Sequence, residues 1–389
     1  MVSSMLDFSR DIDLGTAEDL VQDAFSAALV AWRKDAIPSN PAGWIFTVCR
    51  NKALNKIKEA KRYSNNLIYE EAIADTAISR PVLEDYQLRL LFTCAHPDLS
   101  PKVQVVITLK YVVNLKVEAI AKILGLTVDG IDKLLVRARQ KIKEEKSLLS
   151  EPDIKALQPR VPVVHKIIYL IFNEGYKSSW GKELIREELC EEALLLNRAL
   201  QNSKCGNEET ATLYALMLFN AARFKARFGA SGELLDLGEQ DRSLWNRDLI
   251  QLGCHYIQQS RNSPASSYHY EAAIAYLHCT AKDFAATDWL AITRLYLQLL
   301  RLHSNPFVEL NYAIALYYAG QKGEALHILN SLRQHPFLSQ YYLLNAALGK
   351  IHFLEGDFTA AKKYWEKTLR QTNSQLEKEF ILKMINKIT

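Results

Sequence analysis

No stretch of this 389-residue chain approaches the roughly 20 consecutive apolar residues that a membrane span needs. The start, Met1-Val2-Ser3-Ser4 with acids soon after, lacks the basic and apolar parts of a signal peptide, so a cytoplasmic protein without a membrane partner is expected. Cysteine is sparse: six residues, Cys49, Cys94, Cys190, Cys205, Cys254 and Cys279, with no C-x-x-C pair and no histidines at zinc spacing. Reduced, buried thiols and no metal site follow. There is no glycine-rich phosphate loop and no nucleophile beside a base. A catalytic reading would start from Glu174, Asp241, Arg242 and His255, but salt bridges and helix caps explain such residues in helical arrays more often. No catalytic residue, no enzyme activity and no cofactor are expected. Strand-like alternation is also rare, which leaves an all-α chain.

A strong charge of one sign is missing as well, since the net charge is +4 and residues 1–150 hold 21 Lys and Arg against 19 Asp and Glu. Local clustering carries more information. Residues 44–63 hold Arg50, Lys52, Lys56, Lys58, Lys61 and Arg62 against Glu59 alone. Residues 130–146 hold Lys133, Arg137, Arg139, Lys141, Lys143 and Lys146 against three acids. Two basic helices therefore stand in the N-terminal part.

Helix signals punctuate the chain. Thr16 and Asp19 read as a capping box opening a helix to about Trp32. Asn40-Pro41 reads as an N-cap with proline at the first helical position, opening a helix to about Arg62. Acids gather and periodicity weakens toward Asp85, as in a solvated linker. Ser100-Pro101 repeats the cap signal, and Val117 to Leu124, a turn at Gly125-Leu126-Thr127, and Val128 to about Lys146 form a helix-turn-helix pattern. Beyond Pro152, Pro159 and Pro162 the chain is helical again. There Ala325 and Ala361 occupy matched positions 36 residues apart, close to the tetratricopeptide period of about 34. Expected boundaries are a first unit at 1–63, a linker at 64–85, a helix-turn-helix unit at 86–149 and a helical-repeat domain at 150–389.

On the last helix of the helix-turn-helix, Ile131, Leu134, Leu135, Ala138 and Ile142 share a core face. The opposite face carries Asp129, Lys133, Val136 and Gln140, flanked by Arg137 and Lys143. Residues near the helix N-terminus suit base edges in a major groove, whereas Arg137, Lys141 and Lys143 suit phosphates. The helix from Pro41 buries Ile45, Cys49, Ala53 and Ile57. Its other stripe is Trp44, Thr47, Asn51, Asn55 and Lys58, with Arg62 beyond. An indole heading a polar, basic stripe either stacks on the bases of melted nucleic acid or packs back under the 37–40 loop.

The order Asp19-Leu20-Val21-Gln22-Asp23-Ala24-Phe25, then Asn40-Pro41-Ala42-Gly43-Trp44-Ile45-Phe46-Thr47-Val48-Cys49-Arg50-Asn51, then a helix-turn-helix ending Arg137-Ala138-Arg139, resembles the extracytoplasmic-function sigma factors. These contain regions 2 and 4 of the sigma-70 type. The resemblance implies an initiation factor that brings core RNA polymerase, through its clamp and flap, to promoter DNA. It implies clamp binding by Asp19, Gln22, Asp23 and Phe25. It also implies minus-ten recognition by Asn40, Trp44, Thr47, Arg50, Asn51, Asn55, Lys58 and Arg62. Minus-thirty-five recognition would fall to the helix from Thr127, with Asp129, Lys133, Val136, Arg137, Gln140, Lys141 and Lys143. Two departures stand out: about fifteen residues precede Thr16 where the family has another helix, and Asp132 and Leu134 replace basic residues common in relatives. Tyr169-Leu170-Ile171-Phe172-Asn173-Glu174-Gly175-Tyr176, Glu239-Gln240-Asp241-Arg242-Ser243-Leu244-Trp245 and the final repeats resemble the extension of one subgroup, which implies a regulatory module. Its concave surface suits a peptide of another protein or the chain's own sigma domains. A helix-turn-helix regulator acting without polymerase is the alternative.

Overall fold

The computed structural model describes residues 5, 12, 14–34, 37–38, 40–63, 86–144, 154–177, 186–230, 232–260, 265–372 and 374–388. The expected linker at 64–85 lies outside them. The chain divides into two compact units, 1–206 and 207–389. Among the described residues the architecture is helical, with a lone β-bridge between Phe228 and Leu234. No helix among them is long and apolar enough to cross a membrane.

The first unit opens with α1 (Leu14–Lys34) and α2 (Pro41–Tyr63). Ala17, Leu20, Ala24 and Ala28 recur at three and four on α1 and are buried against Ile45, Cys49 and Ala53 of α2. Met5 and Ile12 are buried in the same cluster. Helix α1 begins at Leu14, two residues before the expected cap, so Thr16 lies inside the helix rather than at its boundary. Helix α2 begins where the cap signal places it: the Gly43 N–H donates to Asn40 Oδ1 at 2.9 Å and the Trp44 N–H to the Asn40 carbonyl at 3.1 Å. Asn40→Ala is expected to cost about 1 kcal/mol of local stability, measurable by hydrogen exchange of the α2 amides, because that side-chain cap is lost.

Next come α3 (Tyr86–Cys94), α4 (Pro101–Tyr111), α5 (Val117–Ile123) and α6 (Val128–Glu144). They are followed by the short α7 (Ile154–Leu157), α8 (Val161–Tyr176) and α9 (Glu187–Asn202). Helices α8 and α9 pack on each other and on α3. Arg160 Nη1 donates to the Phe92 carbonyl at 3.3 Å, and Gln87 Nε2 to Glu192 Oε1 at 2.5 Å. The helices that open the C-terminal extension thus share one compact unit with the helix-turn-helix.

The second unit contains α10 (Glu208–Ala221), α11 (Arg247–Gln259), α12 (Ser267–Thr280), α13 (Trp289–Leu302) and α14 (Pro306–Tyr318). It ends with α15 (Lys322–Leu332), α16 (Tyr342–Leu354), α17 (Phe358–Gln371) and α18 (Gln375–Asn386). Each helix packs on its successor. The pairs α14–α15 and α16–α17 repeat one geometry, since Gly320 and Gly356 turn the chain with φ of 87° and 80°, and Ala325 and Ala361 are both fully buried. A left-handed residue closes each first helix, and a small one lets its partner approach.

All six cysteines are thiols, five buried and Cys254 partly so. Burial pushes Cys94 up to about 12 and Cys279 up to about 11, which keeps both neutral.

Candidate nucleic-acid interface

Helices α5 and α6 form the expected helix-turn-helix. Gly125 holds φ at 62°, and the Leu126 N–H donates to the Ala121 carbonyl at 2.8 Å, closing α5. Thr127 caps α6, its Oγ1 accepting from the Gly130 N–H at 3.1 Å. Ile131, Leu135, Ala138 and Ile142 are buried and Leu134 is half-buried, while Asp129, Asp132, Lys133, Val136, Arg137 and Gln140 are exposed. The exposed face therefore offers Val136, 59% accessible, for an apolar contact in a groove, ringed by polar groups. Asp129 and Lys133 neutralise each other in an exposed pair at 2.7 Å. DNA must compete with that pair before either residue reads a base.

One residue expected on phosphate is committed elsewhere. Lys141 is half-buried and donates to the Asp98 carbonyl, tying α6 to the loop between α3 and α4. Arg139 is likewise engaged inside the unit: Nε donates to the Tyr111 hydroxyl at 2.7 Å and Nη2 to Glu18 at 2.9 Å, while Lys110 lies 3.6 Å from the same carboxylate. Glu18 of α1 thus joins the first helix pair to the helix-turn-helix. The side chain of Lys143 lies outside the described residues. Arg137 remains the exposed cation suited to a phosphate; Arg137→Ala is expected to weaken DNA binding uniformly across sequences and lower the salt slope by about 1, measured by anisotropy at several salt concentrations.

On α2, Asn40, Thr47, Arg50, Asn51 and Asn55 are exposed, whereas the side chains of Lys58 and Arg62 lie outside the described residues. Trp44 is only half-accessible. Its ring lies 5.6 Å from that of Trp32 at 57°, and both pack on the α1–α2 core. Packing is therefore satisfied by Trp32 at the end of α1. The Trp32 Nε1–H is buried without a hydrogen-bond partner among the described residues. Phe46, which the sequence reading passed over, is 41% accessible on the same turn as Thr47 and Arg50. Its ring is an exposed aromatic surface of α2 beside Arg50, on the flank of the stripe rather than within it. The run Trp44-Ile45-Phe46 carried the signal, since helical spacing cannot bury all three.

On α1, Asp19, Gln22, Asp23 and Phe25 are exposed, and Asp23 pairs with Lys52 of α2 at 3.2 Å. Phe25 is 48% accessible and is followed by Leu29 at 65% and Val30 at 64%. That apolar patch extends the expected surface by a further helical turn; Ala27-Ala28-Leu29-Val30 is one apolar run longer than a single buried stripe can absorb.

Four residues were considered for catalysis: Glu174, Asp241, Arg242 and His255. Glu174 belongs to the first unit and the others to the second. Asp241 accepts from the Ser243 N–H at 2.8 Å, and Arg242 Nη1 donates to the His278 and Ala281 carbonyls at 2.7 Å each, closing the end of α12. His255 is hydrogen-bonded to Gln259 at 2.9 Å. Among the described residues no group of three or more His, Cys, Asp or Glu could hold a metal ion.

Family models match three segments: sigma-70 region 2 over residues 9–63, sigma-70 region 4 over 89–142, and a family of unknown function, DUF6596, over 160–261. The chain is 31% identical over 390 residues to the protein R00370 of Rhizobium meliloti (strain 1021), covering 98% of this chain and 91% of that one. It is 28% identical over 170 residues to the probable ECF RNA polymerase sigma factor SigI of Mycobacterium tuberculosis, covering 42% of this chain and 55% of that one. No solved structure matches.

Proposed function

Because the chain belongs to the sigma-70-like sigma factors of the extracytoplasmic-function type, with regions 2 and 4 followed by a DUF6596 extension, we propose that it directs core RNA polymerase to specific promoters and opens them there. The single observation that carries this reading is the pairing of two exposed surfaces on one helix pair. The apolar patch at Phe25, Leu29 and Val30 suits a protein partner, and the exposed stripe of Thr47, Asn51 and Asn55, flanked by Arg50 and Phe46, suits an unstacked strand. A helix-turn-helix regulator acting alone has no use for either surface. The mechanism is binding and strand capture, with the α6 face seated in the minus-thirty-five major groove and the α2 stripe holding minus-ten bases.

The extension is proposed to be a tetratricopeptide-like regulatory domain, supported by the 36-residue recurrence of the Gly320 and Gly356 turns. The packing of α8 and α9 on α3 favours action on the chain's own helix-turn-helix over action on a separate protein.

Promoter-dependent transcription with purified core polymerase tests the whole reading. Initiation at a defined start site is expected. Tight, specific duplex binding by the protein alone, with no initiation at any promoter, would favour the polymerase-independent regulator. Phe46→Ala is expected to slow promoter opening about tenfold while leaving polymerase affinity unchanged, since one base-aromatic stack contributes about 1–3 kcal/mol. Equal loss of both would refute strand capture by this ring.

A further inference from the structure

The second unit contains a cavity of about 520 Å³ between α12, α13, α14 and α16, bordered by the loop at 236–239. That volume is in the range of small-molecule sites, roughly 300–1,000 Å³. It exists because Ala315 and Ala347 line it where larger side chains would close it. One wall is aromatic. Phe284 lies 5.1 Å from Trp289 and 5.0 Å from Tyr318, both edge-on, while Trp289 and Tyr318 stack at 4.8 Å and 28°.

The charges around it are already matched. Lys350 is paired with Asp236 at 2.9 Å, and Glu239 with Lys387 at 2.9 Å. An anion or a cation would have to separate one of these pairs. Phe284, Trp289 and Tyr318 pack on one another rather than standing apart as an ammonium cage needs, and Lys350 at the lining would repel a cation. Uncharged polar groups remain at the lining, His278 and Asn311 among them. His278 is pushed down to about 4 by burial and then by the Arg223 and Arg242 charges, so its imidazole is neutral, and its Nδ1 is buried without a hydrogen-bond partner. Asn311 adds a carboxamide at the cavity lining. Burial and Asp236 push Tyr318 up to about 12, which keeps that ring neutral too.

From the cavity, its stacked wall and its balanced charges, we infer that this site binds an uncharged, planar aromatic or heteroaromatic small molecule. The ligand lies along Trp289 and Tyr318, and His278 and Asn311 hydrogen-bond its edge. Because the lining comes from several successive helices and a loop, occupancy ties those elements together and raises the thermal midpoint of the unit. This inference does not rest on the sigma-factor reading, since the site is complete in the chain without polymerase or DNA.

The full chain is titrated with N-phenyl-1-naphthylamine, which is uncharged, and in parallel with 1-anilinonaphthalene-8-sulfonate, its anionic relative. Saturable one-to-one binding of the uncharged probe is expected, at least tenfold tighter than the sulfonate. Ala347→Leu, which fills the cavity, is expected to weaken it tenfold or more with an unchanged circular dichroism spectrum. Should that variant fail to fold, Leu354→Trp obstructs the site from a side chain that is 47% exposed and serves the same comparison. Absence of saturable binding, equal binding of the sulfonate, or undiminished binding by the folded, filled variant would each overturn the proposal.

Discussion

Phe25→Ala is expected to weaken binding to core RNA polymerase about 30-fold, corresponding to about 2 kcal/mol, without changing hydrogen exchange of the α1 and α2 amides. Phe25 sits on a helix whose own core face is filled by Ala17, Leu20, Ala24 and Ala28, and it leaves 48% of its area in solvent beside Leu29 and Val30. Removing a ring that packs on little costs the free protein within about 0.5 kcal/mol. In a complex the same ring is an anchor of the type that dominates interfaces, with Asp19, Gln22 and Asp23 as its polar rim. Asp19→Ala is accordingly expected to lower affinity only a few-fold and to act on the association rate. Calorimetric titration of both variants with core polymerase separates the two cases. Undiminished affinity of Phe25→Ala would remove this face from the interface.

What was legible in the sequence follows the range of each interaction. The Asn40-Pro41 start of α2 and the Thr127 start of α6 depend on contacts within three residues, and both stand where the cap residues put them. The buried stripes of α1, α2 and α6 were readable for the same reason, since 3.6-residue periodicity is a local property. Thr16 lies two residues inside α1 rather than at its boundary, so the local cap signal did not fix the start of that helix. Lys141 looked like a phosphate ligand by its position on a basic helix, yet its partner is a carbonyl 43 residues away. Glu18 carried no signal at all, because Arg139 meets it across 121 positions. Trp44 could be placed on a helix but not apportioned between stacking and packing, since its neighbour Trp32 is brought up by the α1–α2 crossing. The cavity of the second unit was equally invisible, being assembled from helices whose spacing no periodicity encodes.

The other large expected effect concerns the C-terminal helices, where one close approach decides two mutations together. A Cβ on Gly349 would lie 2.4 Å from both Cδ1 and Nε1 of Trp365, a side chain that is 1% exposed. Gly349→Ala is therefore expected to destabilise the α16–α17 pair by about 1–3 kcal/mol through overpacking. Trp365→Ala is expected to cost about 3–5 kcal/mol, since it leaves a void and removes the 3.4 Å bond from Nε1 to the Ala346 carbonyl. In the double variant the new methyl enters the space the indole vacated, so the combined cost is expected to fall short of the sum by about 1 kcal/mol or more. A chain of several units does not unfold in one step, so the readout is hydrogen exchange of the α16 and α17 amides rather than a single midpoint. Strict additivity would mean that the two residues do not share this space. The same variants probe regulation. With promoter, polymerase and the α2 and α6 surfaces unaltered, loosening α16 and α17 is expected to change transcription only if the extension acts on initiation. Unchanged transcription by a chain whose last helices exchange freely would remove them from the regulatory role proposed for the extension.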